Sequence, residues 1–233
     1  MPGHPNADSI PRDPREWRPQ AARRSKRTPE IRDPILEPFW HGIRVIAHFR
    51  AEQGGDSEPM LVLLDEDGDD VTGVAPETAA AVARSIMALD AVVDGILTPQ
   101  ATANPVGVSL VASAHMPATS FILPIKPEVT HQPPRGHQPR GDELAFVALD
   151  LLSVDGQQLL DLPLLERKRL LESLFVQHEL VRVSVYTRPP VKPWLDSWKS
   201  AGFRGVMMKA ANSRYRPGDE TSEWTLIERE SQG

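Results

Sequence analysis

Short apolar stretches broken by turn residues recur along this chain, and they constrain its fold more than any other feature. "GIRVIAHF" (42–49), "MLVLL" (60–64), "AVVDGIL" (91–97), "VGVSLVA" (106–112) and "ELAFVALDLLSVDG" (143–156) read as strands or strand pairs. "VRVSVY" (181–186), "GVMMKA" (205–210) and "EWTLIE" (223–228) complete the series. "LDEDGDD" (64–70) has the composition of a tight turn. Only three stretches read as helices. "PETAAAVARSIMAL" (76–89) opens on a proline suited to a first turn, and "DLPLLERKRLLESLF" (161–175) offers an Asp cap with Pro just inside. The third surrounds "PWLDSWKSAGF" (193–203). Antiparallel-looking strands interleaved with a few helices predict an α+β domain, antiparallel sheets flanked by helices.

At 233 residues the chain is long enough to bury a core as one domain with tails. It has no cysteine, which excludes a disulfide scaffold, thiolate catalysis and cysteine-ligated zinc. Its net charge of −6 provides no overall basic footprint for nucleic acid. No apolar run approaches the ~18–20 residues of a membrane span, and the N-terminus lacks a signal-peptide core. The expectation is a soluble, cytoplasmic protein with no membrane partner.

Residues 1–34 are rich in Pro, Arg and Asp, which predicts a disordered or loosely attached tail. Its basic cluster "ARRSKR" (Ala22 to Arg27) reads as a solvated run, with phosphate contact as the alternative. The body is expected over 35–228, with a second short tail at 229–233. A flexible insertion over 127–142 interrupts it. The near-duplicate "HQPPRGHQPRGD" (131–142) has two histidines but no carboxylate or cysteine at ligand spacing, so it reads as an insertion and not a metal site.

The stretch "EPFWHGIR" (Glu37 to Arg44) looks like a nucleotide-holding turn without its reactive groups. Five segments, in order, carry a resemblance. "EPFWHGIR" resembles E-x-K-x-D-G-x-R, "LLDEDGDDVT" a strand and turn ending in S-R-N-G, and "VVDGIL" a D-G-E strand. "ALDLL" with the helix behind it resembles F-D-L-L. "GFRGVMMKAANSRYRPGDETSEW" resembles E-G-[hydrophobic]-x-x-K, S-x-Y-x-x-G and the opening of W-x-K-x-K. Together they resemble the adenylation (nucleotidyltransferase) domain of ATP-dependent DNA ligases of the bacterial end-joining type, along nearly all of 35–228.

The resemblance implies a ligase-type nucleotidyltransferase fold, here without a C-terminal oligonucleotide-binding barrel, since only five residues follow Glu228. It also implies lysyl-AMP chemistry, which requires a lysine nucleophile, metal-facing carboxylates and phosphate-facing cations. The lysine position is Phe39, and the motif's Asp is His41. Ile96 and Arg204 stand at carboxylate positions, Leu226 and Glu228 at lysine positions, and Glu66 at an arginine position. Leu149 replaces the aromatic that would stack on adenine. Glu37, Gly42, Arg44, Asp94, Gly95, Lys209 and Trp224 are retained. The expectation is a vestigial nucleotide site of Glu37, His41, Arg44, Leu149, Lys209 and Trp224, with no intact catalytic residue and no metal ligands.

Arg44 and Lys209 either contact a nucleotide phosphate or pair with Asp94 and Glu37. No cofactor is then required, and ATP and Mg bind weakly. The implied function is a non-catalytic binding or regulatory module linked to DNA repair. Its partner would be a repair protein or an active ligase, with weak or absent DNA binding. The alternative is a divergent ligase or nucleotidyltransferase that forms lysyl-AMP from a displaced lysine, with a separate barrel subunit.

Overall fold

Strand register divides the chain into two facing sheets. The computed structural model describes residues 11–51, 59–99, 144–177 and 180–228. Its strands are β1 (Ala21–Ser25), β2 (Pro34–Pro38), β3 (Ile43–Arg50), β4 (Met60–Asp65), β5 (Asp90–Thr98), β6 (Ala145–Val154), β7 (Gln157–Gln158), β8 (Val181–Val183), β9 (Gly205–Ala210) and β10 (Glu220–Glu228). Its α-helices are α1 (Pro76–Ser85), α2 (Leu164–Leu174) and α3 (Val191–Ser200). The first sheet has the order β1-β10-β9-β2, and the second the order β4-β3-β5-β6-β7, with β8 also on β6. All pairings are antiparallel except β1 with β10 and β6 with β8. The α+β expectation holds, with those two parallel pairs added. No described helix is long and apolar enough to cross a membrane.

The period-2 pattern of β3 sorts its side chains between two cores. Val45, Ala47 and Phe49 join Ala79, Val82, Leu171 and Leu174 in the core under α1 and α2. Ile46 joins Ile35, Val92, Leu152, Tyr215 and Trp224 in a second core, to which both sheets contribute. A third cluster gathers Leu36, Val206, Met208 and Ile227 of the first sheet with Leu195 and Trp198 of α3. Two glycines permit close approaches. A Cβ on Gly95 would lie 2.4 Å from the Phe146 ring, and one on Gly42 would lie 2.0 Å from the Leu97 carbonyl oxygen.

The expected N-terminal tail is corrected over residues 11–34. Trp17 is only 2% exposed, in the core with Ile35, Ile46 and Trp224. "AARRS" forms β1 alongside β10. Composition misleads here because one tryptophan and five strand residues anchor the segment, and the strand's partners lie about 200 positions away. Local propensity cannot register such a partner. The helix expected to reach Leu89 ends at Ser85, because Ile86 pairs with Phe175 in a β-bridge. The Asp161 cap is not used either; Pro163 precedes α2 with no side-chain cap. "VGVSLVA", most of the 127–142 insertion's surroundings, the insertion itself and residues 229–233 lie outside the described residues.

Candidate functional site

Register sets the inner face of the first sheet. Ile35 pairs opposite Lys209, and Lys209 opposite Trp224, so these three form one row across β2, β9 and β10. Glu37 lies two residues beyond Ile35 on that face, and Leu226 continues its row. On the second sheet Ile46, Asp94 and Asp150 stand opposite one another. Helix α2 contributes the rest. Its buried stripe is Leu164, Arg167, Lys168, Leu171 and Leu174, a helical spacing that carries two cations into the protein.

Every carboxylate in this group faces a cation. Lys168 Nζ lies 2.6 Å from Glu37 Oε1, and Lys209 Nζ donates to Glu37 Oε2 at 2.9 Å. The Lys168 contact is an ion pair without hydrogen-bond alignment. Lys209 Nζ also sits 4.1 Å from the centroid of the Trp224 ring, a cation–π arrangement. Arg44 donates Nε and Nη2 to the two oxygens of Asp94, each at 2.6 Å, and the Tyr215 hydroxyl donates to Asp94 Oδ2 at 2.8 Å. Arg167 clamps Asp150 in the same bidentate way, at 2.9 and 2.8 Å. Only Arg44 reaches solvent, with 22% of its side chain exposed.

Four cations therefore face three carboxylates in a water-poor space, leaving one excess positive charge. Burial alone would push the Glu37 carboxyl up, but Lys168 and Lys209 together hold its pKa below the ordinary value. Burial lowers the Lys209 pKa, against the opposing pull of Glu37, and Lys168 lowers it further. Burial and the Asp94 carboxylate raise the Tyr215 hydroxyl well above its usual range, so it stays a donor.

The structure brings Glu37, Arg44, Lys209 and Trp224 together around this network, and pairs the two cations with Glu37 and Asp94. Phe39 is half-buried, and its backbone N–H donates to Gly205 at 3.0 Å. Its ring lies 6.1 Å from that of His41, which is exposed. Leu149 is buried in the cluster with Trp40, Ile96 and Trp198, whereas Arg204 is exposed. Sequence reasoning missed Lys168, Arg167, Asp150 and Tyr215. The stripe of α2 carried the signal for the first two, since Arg167 and Lys168 occupy core-facing positions of its periodicity.

Among the described residues no group of three or more His, Asp or Glu is arranged to hold a metal ion. Glu37, Asp94 and Asp150 each face a cation supplied by the chain itself.

A family model described as "ATP dependent DNA ligase domain" matches residues 63–227. The DNA ligase of Methanocorpusculum labreanum is 31% identical over 81 residues, covering 35% of this chain and 15% of the relative. A probable DNA ligase of Mycobacterium sp. (strain KMS) is 33% identical over 85 residues, 36% of this chain and 16% of the relative. Among solved structures, mycobacterial DNA ligase D complexed with ATP and MES superposes with a TM-score of 0.61 at 21% identity. That match covers 93% of this chain and 62% of the other. The ligase domain of M. tuberculosis LigD superposes with a TM-score of 0.58 at 20% identity, covering 92% and 60%. The matched stretch thus spans about 15% of the curated relatives' length.

Proposed function

The chain belongs to the ATP-dependent DNA ligase domain family, and we propose that it acts there as a non-catalytic, ligase-like module that binds or regulates a partner in DNA repair. One observation carries this reading: Glu37, two residues before Phe39, is held by Lys168 at 2.6 Å and Lys209 at 2.9 Å. The cations that a phosphate would require are spent on an internal carboxylate. Phe39 has no lone pair with which to attack phosphorus. Opening the network for a nucleotide would strip buried charges of their partners, an expensive step in a low-dielectric interior. ATP binding is accordingly expected in the high micromolar range or weaker, roughly −5 kcal/mol or less favourable.

Incubation with α-labelled ATP and magnesium, followed by denaturing electrophoresis, tests the reading. No covalent adenylate and no low-micromolar calorimetric binding are expected, and a labelled protein band would overturn it. A second reading has one observation in its favour: Lys168 places a lysine amine beside the motif glutamate from another element. In that reading a displaced lysine forms the adenylate, and mapping the label to Lys168 would select it. The full burial of Lys168 and its pairing with Glu37 speak against it, since a nucleophile must reach the α-phosphate with a free electron pair.

A further inference from the structure

The N-terminal segment puts an unusual charge at the edge of the first sheet. Residues 11–27 carry seven Arg or Lys and two Asp or Glu, a net charge of +5 within a chain of −6. In the sheet order β1 is terminal, with β10 as its neighbour, so its outer edge meets no other strand among the described residues. Arg23 and Arg24 are successive strand residues and therefore project to opposite faces of that edge. Their side chains are 57% and 72% exposed, paired with Glu220 at 3.5 Å and Glu228 at 3.1 Å. Exposed pairs of this kind exchange readily for a better partner.

A concavity lies beside the N-terminal end of β1, on its β10 side. Along 211–216 the inward residues Ala211, Ser213 and Tyr215 are buried, which turns Asn212, Arg214 and Arg216 outward. These three and Glu223 line a cavity of about 430 Å³. Arg216 donates its backbone N–H to Gln20 Oε1 at 2.7 Å, which fixes the cavity beside the residue that leads into β1.

We infer that the outer edge of β1 and this cavity dock an acidic segment of a partner protein in extended conformation, added to the sheet as a further strand. Backbone groups of the edge supply main-chain hydrogen bonds, and Arg23 and Arg24 meet carboxylates on both faces of the incoming strand. In the cavity Arg214 exchanges its exposed partner Asp161, at 3.0 Å, for a further acidic side chain, which Arg216 also meets. A nucleic-acid backbone fits less well, because it presents phosphates to one side and has no use for a strand edge. A second copy of β1 is disfavoured by like charge, the usual way an edge avoids its own kind. The inference names a partner class for the binding-module reading and rests on that reading only for its biological sense. Peptide binding and adenylation are measured separately, so either can fail alone.

The probe is a fluorescein-labelled peptide of about ten Glu, Asp and Val residues, with its acids in adjacent pairs so that both strand faces carry carboxylates. Anisotropy with the full chain should show saturable binding. The double variant Arg23→Gln, Arg24→Gln, which adds no new repulsion, should weaken it at least ~10-fold, and Arg214→Ala with Arg216→Ala should weaken it further. N-methylation of alternate peptide nitrogens should abolish binding. Circular dichroism confirms that each variant is folded. Equal binding of the N-methylated peptide overturns the inference, as does no binding up to about 1 mM. Displacement of the peptide by a duplex oligonucleotide at lower concentration than by unlabelled peptide also overturns it, in favour of a nucleic-acid surface.

Discussion

Lys168 Nζ and Glu37 Oε1 meet at 2.6 Å, with the lysine side chain wholly buried and the glutamate 2% exposed. A charge pair so placed is a liability once broken, since the surviving charge has neither partner nor water.

Glu37→Gln is therefore expected to destabilise the protein by about 3–5 kcal/mol, because two ammonium groups lose their carboxylate together. Lys168→Met should cost less, under ~2 kcal/mol, since it removes the excess positive charge and leaves Lys209 on Glu37. Urea denaturation read by tryptophan fluorescence measures both. A larger loss for Lys168→Met than for Glu37→Gln would show that the charge count does not govern this site.

Phe39→Lys should not restore lysyl-AMP formation. Glu37 would still be paired with Lys168 and Lys209, and Ile96, Arg204 and Leu226 would still stand where the motif resemblance expects carboxylates and a lysine. Groups that act as a unit do not contribute singly. The variant is tested with α-labelled ATP; robust labelling of it would show that the site is far less altered than the pairing implies.

Trp17→Ala should cost about 3–5 kcal/mol, the usual range for a buried tryptophan, because the indole packs with Ile35, Ile46 and Trp224. A segment that merely trailed from the domain would give no change. The midpoint of chemical unfolding decides between them.

His48 sets an acid limit. Loss of hydration, then Arg15, lower its pKa to about 4 against the opposing pull of Asp13, with Arg18 lowering it further, and its Nε2 is buried without a hydrogen-bond partner. The unfolded chain thus binds a proton that the folded chain refuses between pH of about 6.5 and about 4. Stability should be full above that window and fall by about 3 kcal/mol across it as the pH drops. His48→Leu should flatten the curve; an unchanged slope in the variant would assign the loss to other groups.

Sequence made some of this legible and hid the rest for physical reasons. The strands of the second sheet were readable because β3 and β5 carry their own apolar pattern and turn residues. Glu37, Arg44, Lys209 and Trp224 could be placed because motif order fixed them. β1 was not readable: "AARRS" has two alanines and two arginines, and becomes a strand only through its pairing with Glu220–Ile227. Lys168 and Arg167 lie in the charged run "ERKR", yet their spacing matches the apolar stripe of α2. Asp150 and Tyr215 carried no local sign of the arginine and carboxylate waiting for them across the fold.

The pairing of β1 with β10 also imposes an order of events on the newborn chain. Ala21 has Glu220 as its partner, so the first strand leaves the ribosome long before its neighbour exists. At ~5–20 residues per second that interval is roughly 10–40 s. Throughout it Trp17 has no Trp224 to lie against, and a basic, tryptophan-bearing arm stays open to whatever binds nascent chains. The second sheet can form meanwhile from β3, β4, β5 and β6, all complete well before the last strand emerges. During synthesis β1 is thus complete for many seconds before the strand it pairs with has been made.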